Sequence, residues 1–349
     1  MSTPPDRSAL VYEKLRRGDD LVRQLQRHGI SAALPFGPDS CLLRHEPLTE
    51  EAIVELAAGF PAIIGVSGAR LTRKVMQALP DLRFISKIGI GYDVIDVDAA
   101  TDLGILVTNT PSQVEIECVA EHAIALMLAA AKRLDYYSTA RMARGGWLDQ
   151  DVTAIGLRGR TVGLVGFGRI ARSVATRLAG WGVQILACDL PGRRVDPHDG
   201  VQFVTLADLL TQSDFVSLHL STPAGARPVL DAAHLALMKP GAVLVNTARG
   251  ANIDHQALYR ALRNGELMTA ALDVFDREPP PHDEPLLSLP NVIATPHLGA
   301  SPPEAETDME LMAADNLAQL FDDKLPATVV NPLARGAASA FRAQQPRIA

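Results

Sequence analysis

Thr161-Val-Gly-Leu-Val-Gly-Phe-Gly-Arg-Ile-Ala171 is the stretch whose reading decides the fold. An apolar run from Thr161 to Val165 meets Gly166-Phe-Gly168, and a helix-like run from Ile170 to Leu178 follows at once. Strand, glycine turn and helix are the context that lifts a G-x-G-x-x-A string above chance. Gly166 permits the tight turn, Gly168 lets a pyrophosphate approach the backbone, and the small Ala171 allows close helix–strand packing. The helix start offers unpaired N–H groups and a positive dipole end to phosphate. By itself the string reads equally well as a helix packed tightly on a strand. The next strand candidate, Val183 to Asp189, ends in an acid eighteen residues past Ala171, where a partner for a ribose 2′-hydroxyl belongs. The pair points to a dinucleotide site. Asp189 would repel a 2′-phosphate and favours NAD over NADP; Arg193 and Arg194, just beyond it, work against that preference.

Working outward, 349 residues suggest about two domains, each large enough for its own core. An apolar content of 47% fits a globular protein, and a formal charge of −7 argues against nucleic-acid binding. An anionic substrate would need local cations. Cys41, Cys118 and Cys188 are scattered with no C-x-x-C spacing, which fits buried thiols in a reducing cytoplasm. The opening residues lack the basic-then-apolar plan of a signal peptide, and no apolar run is long enough for a membrane span.

Upstream of the glycine turn, strand-like runs at Ala9–Tyr12, Ile30–Leu34, Ala62–Val66, Phe84–Ile88 and Ile105–Val107 alternate with helix-like segments. Thr49-Glu-Glu-Ala marks one helix start, with threonine as its N-cap. This first unit is therefore α/β in its own right. Asn109-Thr-Pro111 reads as a junction. Ile116 to Leu134 is apolar nearly all round and predicts a buried helix at a domain or subunit boundary; Tyr136 to Leu148 reads as a loop or dimer arm. Downstream of Asp189, strands are expected at Phe203-Val204, Phe215–His219, Ala242–Val245, Ala270–Asp273 and Val292–Ala294. A long helix starts at Pro302, Thr328–Asn331 is strand-like, and the tail from Pro332 has no apolar period.

In open α/β sheets ligands bind outside the carboxyl ends of the strands. Those ends here carry Gly166, Gly168, Asp189, His219, Arg249, Asp273 with nearby Glu278, and His297. Arg249, Glu278 and His297 suit reduction of a 2-keto acid. Arginine holds a carboxylate and polarises the adjacent carbonyl. Histidine gives a proton to the developing alkoxide near neutral pH. A carboxylate bonded to that histidine orients it and stabilises its protonated form, and NADH supplies the hydride. Taken singly, Arg249 reads as a surface ion-pair partner, His297 as a locally bonded histidine and Glu278 as a solvated loop acid. In order and on one sheet edge they read as a set. His122 reads as a satisfied core or interface histidine, and His219 as structural. The nine histidines form no H-x-x-x-H pattern, so no metal is expected.

With these positions the chain resembles the D-isomer-specific 2-hydroxyacid dehydrogenases, the group that includes phosphoglycerate dehydrogenase and glyoxylate/hydroxypyruvate reductases. The resemblance runs from Val66-Ser-Gly68 to Val330-Asn331. Its most specific string is Met238 to Gly250, followed in order by Ala271 to Pro279 and Thr295 to Gly299; Ser86 to Asp93 and Val119 to His122 also match. The resemblance implies a Rossmann dinucleotide-binding domain inserted in a flavodoxin-like α/β substrate domain. That lid would comprise 1–109 plus 304–335, and the NAD-binding domain 110–303, with a connecting helix and dimer arm over 112–150 and a tail at 336–349. It implies that Arg249 binds the substrate carboxylate and keto oxygen, that His297 is the general acid/base and that Glu278 is its partner. Arg169 and Ile170 would contact pyrophosphate, Thr247 and Ala248 would line the cofactor, and Asp273 would hold the nicotinamide carboxamide. Backbone N–H groups at Ser67-Gly68 and Ile90-Gly91 would receive the substrate carboxylate across a cleft whose closure excludes water. A small 2-keto or 2-hydroxy carboxylate substrate and a homodimer follow. Two departures stand out. The loop after His219 reads Leu220-Ser-Thr-Pro-Ala-Gly225, which bears on cofactor contacts near Leu220, and the segment from Pro111 to Glu121 is one residue longer than the commonest pattern. A second function class fits the same scaffold: an NAD(H)-sensing binding protein like the C-terminal-binding corepressors, although no basic nuclear-targeting cluster accompanies it.

Overall fold

The computed structural model describes residues 6–12, 18–35, 48–65, 69–147, 152–189, 196–220 and 226–334. Ser67, Gly68, Arg193, Arg194, Cys41 and the tail beyond 334 lie outside the described residues. Contacts divide the chain into two units, one from 1–115 and 303–349 and one from 116–302.

The first unit alternates β1 (Ser8–Val11), α1 (Gly18–Arg27), β2 (Ser31–Ala33), α2 (Glu50–Ala57), β3 (Ala62–Gly65), α3 (Arg73–Gln77), β4 (Phe84–Lys87), α4 (Val97–Asp102) and β5 (Leu106–Thr108). The sheet order is β2-β1-β3-β4-β5 and every pair is parallel. This is the flavodoxin-like doubly wound order. The helices start where short polar side chains can satisfy orphan N–H groups: Thr49 accepts from the Ala52 N–H and Thr72 from that of Val75. β1, β3 and β4 are buried on both faces, as their unbroken apolar runs require of a covered parallel sheet.

Helix α5 (Gln113–Ala131) starts in the first unit and ends in the second. The break falls after Glu115, not at the 109/110 junction expected from Asn109-Thr-Pro111. Asn109 and Thr110 are tied into the first unit: Asn316 Nδ2 donates to the Asn109 carbonyl at 3.1 Å, and the Gly89 N–H donates to Thr110 Oγ1 at 2.6 Å.

The second unit continues through α6 (Thr139–Ala143), β6 (Thr161–Val165), α7 (Arg169–Leu178), β7 (Gln184–Cys188), β8 (Val201–Phe203), α8 (Leu206–Gln212), β9 (Phe215–Leu218), α9 (Ala232–Leu237), β10 (Ala242–Asn246), α10 (His255–Arg263), β11 (Leu267–Leu272) and β12 (Val292–Ala294). The all-parallel order is β12-β11-β10-β9-β6-β7-β8. Counted from β6, this is the Rossmann order with one further strand, and the order reverses between β6 and β9. Alternate residues of each strand face opposite sides. Val216, Leu218 and Leu244 join the core under α8, α9 and α10. Phe215, Val243 and Val245 join the core under α5 and α7, where Ala120, Ala123, Met127, Val174 and Leu178 pack.

Helix α11 (Pro303–Phe321) returns the chain to the first unit. Thr328–Asn331 does not become a strand. It makes a single antiparallel bridge, Val329 with Thr108, with the Asn109 N–H donating to the Thr328 carbonyl at 3.3 Å and the Val330 N–H to the Val107 carbonyl at 2.8 Å; beyond it the Asn331 side chain accepts from the Val107 N–H at 2.8 Å and donates to the Ile105 carbonyl at 2.9 Å. No described helix is long and apolar enough to cross a membrane.

Candidate active site

The switch point between β6 and β9 carries the glycine turn. Gly166 has φ +86°, and a Cβ there would stand 2.9 Å from the His219 carbonyl carbon and the Leu220 nitrogen. Only glycine fits both the conformation and the space. The Phe167 N–H donates to Asp189 Oδ2 at 3.1 Å, so the acid at the end of β7 also braces the turn. Gly168 is the N-cap of α7 and provides no side-chain cap; the position of its missing Cβ is open space. The first turn of α7, with Arg169 and Ile170, thus begins without a side-chain cap on its N–H groups, beside room for a ligand. These features fit a bound pyrophosphate.

At the end of β9, His219 is anchored by its N–H to the Val165 carbonyl at 2.8 Å. Its two ring nitrogens are buried, and among the described residues neither has a hydrogen-bond partner. Burial pushes the imidazole down to about 4. Leu220 is buried and its carbonyl accepts from Asn252 Nδ2 at 3.1 Å.

β10 ends in a turn braced by one side chain. Asn246 Oδ1 accepts from the Ala248 N–H at 3.0 Å while its Nδ2 donates to the Arg249 carbonyl at 2.8 Å. This presents Thr247, Ala248 and Arg249 in sequence. A Cβ on Gly250 would lie 2.0 Å from the Phe275 carbonyl carbon, so the Arg249-Gly250 backbone packs directly on the segment after β11. Phe275 in turn donates its N–H to Glu278 Oε1 at 3.0 Å, and Glu278 Oε2 stands 2.7 Å from His297 Nδ1. The sequence-predicted Arg249, Glu278 and His297 therefore sit on linked loops at one sheet edge. With Nδ1 donating to the carboxylate, Nε2 of His297 is left for proton transfer. The pair is accessible, His297 being 47% and Glu278 37% exposed.

Asp273, five residues upstream of Glu278, has a different setting: its side chain is 1% exposed. It accepts from the Thr295 hydroxyl at 2.6 Å, the Leu298 N–H at 2.8 Å and the Gly299 N–H at 3.0 Å. His122 Nε2 lies 3.2 Å from Oδ1. Burial works to raise the carboxyl, but hydrogen bonds from His122, Thr295, Leu298 and Gly299 hold it below its ordinary value. Sequence reasoning assigned Thr295 nothing and His122 only a core or interface place; the Thr-Pro-His string was the available signal.

In the first unit the Ile90 N–H donates to Glu115 Oε1 at 3.1 Å. The acceptor lies in the 111–121 segment, whose length sets this sequence apart from the commonest pattern. Among the described residues, no group of His, Cys, Asp and Glu could hold a metal ion.

A family model described as the D-isomer specific 2-hydroxyacid dehydrogenase, NAD binding domain, matches residues 124–299. The chain belongs to the D-isomer-specific 2-hydroxyacid dehydrogenases. Members of this family are oxidoreductases acting on CH–OH groups. The chain is 39% identical over 287 residues to a D-3-phosphoglycerate dehydrogenase of Methanocaldococcus jannaschii, a match that covers 81% of this chain and 54% of the relative. It thus spans about half the length of that relative. It is 38% identical over 289 residues to a glyoxylate reductase of Korarchaeum cryptofilum, covering 82% and 87% of the two chains. Among solved structures, an NADPH-dependent glyoxylate/hydroxypyruvate reductase of Sinorhizobium meliloti superposes with a TM-score of 0.75 at 30% identity, over 93% of this chain and 97% of that one.

Proposed function

We propose that this dehydrogenase interconverts a small 2-keto acid and its D-2-hydroxy acid with NAD(H), acting mainly as a reductase. The observation that carries the reading is the 2.7 Å His297–Glu278 pair on the loop that packs against the Arg249-Gly250 turn. The Arg249 guanidinium binds the substrate carboxylate and polarises the keto oxygen. NAD(H), when bound, would supply the hydride that adds to C2. His297 delivers a proton from Nε2 to the oxygen that becomes the hydroxyl, and Glu278 holds the ring through Nδ1. Gly166, Gly168, Arg169 and Ile170 would hold the pyrophosphate, Thr247, Ala248 and Leu220 would line the rest of the cofactor, and Asp273 would hold the nicotinamide carboxamide. Asp189 at the end of β7 supports NAD over NADP. The first unit serves as the substrate lid, with the backbone N–H groups of Ser67, Gly68, Ile90 and Gly91 as its carboxylate donors. The exposed Leu134, Met142 and Trp147 after α5 support a homodimer through that segment. A cytoplasmic enzyme with no nucleic-acid or membrane partner completes the proposal.

The test is oxidation of NADH, and of NADPH in parallel, with glyoxylate, hydroxypyruvate, phosphohydroxypyruvate, pyruvate and bulkier 2-keto acids. Turnover with at least one acid, faster with NADH, is expected. No oxidation of either cofactor across the panel would overturn the assignment.

A further inference from the structure

Beneath the segment that carries His297, a carboxylate is gripped almost entirely by that segment's own groups. The Thr295 hydroxyl and the Leu298 and Gly299 N–H groups all donate to Asp273. The His297 N–H donates to the Asp273 carbonyl at 2.9 Å. Within this grip His297 adopts φ +53°, a left-handed conformation that a residue with a Cβ keeps only when its surroundings impose it. The remaining donor comes from another element. His122, in the middle of α5, places Nε2 3.1 Å from Thr295 Oγ1 and 3.2 Å from Asp273 Oδ1. The Thr295 hydroxyl already directs its proton at Asp273, so both oxygens are acceptors toward the ring, and the network assigns the His122 proton to Nε2.

A purely structural role explains this histidine poorly. From Ala123 to Ala131 the helix is wholly apolar, and an aliphatic side chain at 122 would bury more apolar area in the same place. What histidine adds is one donor, delivered from a packed helix to the carboxylate that fixes the catalytic loop. We propose that His122 is a positioning residue for His297. Its Nε2–H, shared by Asp273 and Thr295, sets the orientation of the Asp273 carboxylate and through it the Thr295–Gly299 backbone. This rests on the reading of His297 as the acid/base, and the test separates the two.

His122→Ala and His122→Gln are compared in the full chain with NADH and the best acid of the panel. His122→Ala is expected to lower kcat by about tenfold to a hundredfold, with the KM for the keto acid and the Kd for NADH within about twofold, because the loss is one of alignment. The glutamine amide can stand near the position of Nε2, so His122→Gln should recover most of the rate. Where His122→Ala fails to fold, Thr295→Val removes the hydroxyl that the ring and the carboxylate share, and the same split is expected. The ring resonances of His297 in histidine-labelled protein, assigned by their loss in His297→Gln, give a readout independent of turnover: they should move in His122→Ala and return in His122→Gln. Unmoved resonances, or equal losses in the alanine and glutamine variants, would overturn the proposal. Full turnover in His297→Gln would instead overturn the acid/base reading, and the resonances would still decide the positioning role.

Discussion

Replacing His219 by leucine should flatten the acid limb of stability in the second unit. The ring nitrogens of His219 are buried beside the glycine turn, and burial lowers the imidazole from 6.5 to about 4. A buried neutral histidine favours the folded state less as pH falls, since the unfolded chain takes up a proton near its ordinary value while the folded chain does not. Stability is therefore undiminished above the unfolded value of 6.5 and is lost progressively as pH falls from there toward about 4. Each unit of pH in that window costs about 1.4 kcal/mol, so the loss reaches about 2 kcal/mol near pH 5 and about 3 kcal/mol at its limit. These are upper values, because the residue as a whole is only half-buried. The depressed carboxylates Asp273 and Asp214 act in a lower window: their contribution is present above the ordinary carboxylate value and is lost only as pH falls through their folded values. Urea denaturation followed by circular dichroism, at about pH 7.5 and about pH 5, measures the difference for wild type and His219→Leu. Wild type should lose more stability than the variant over this interval, by about 1–2 kcal/mol. An identical loss in both proteins would show that His219 does not carry the acid limb.

Gly166→Ala forces a methyl group to within 2.9 Å of the β9 loop at φ +86°; it should weaken NADH binding about tenfold or more, read by fluorescence titration, and lower stability by about 1–3 kcal/mol. Glu278→Gln keeps the shape beside His297 but removes the charge. It should reduce kcat/KM roughly ten- to a hundredfold in steady-state assays while leaving the Kd for NADH unchanged.

The Rossmann unit was legible because its signals are local. An apolar run, two glycines and a helix lie within one short stretch, and the parallel strands are unbroken apolar runs because both faces are covered. Thr328–Asn331 was legible only in part: Val329 and Val330 have strand propensity and Val329 bridges Thr108 antiparallel, but the pairing stops at one bridge, and the Asn331 side chain takes up the next groups of β5. The candidate site divides along the same line. Arg249, Glu278 and His297 could be named from strand ends, whereas the left-handed His297 backbone, the Asp273 grip and the reach of His122 depend on contacts between residues far apart in the chain. Glu115 at the Ile90 N–H is of that kind too.

The most direct test of the proposed chemistry is turnover by Arg249→Ala and His297→Gln, with NADH binding measured on the same preparations. Both variants should bind NADH with near wild-type affinity and lose on the order of a hundredfold or more in kcat/KM on the best keto acid. Near-normal kcat/KM in either variant would contradict the role assigned to that residue.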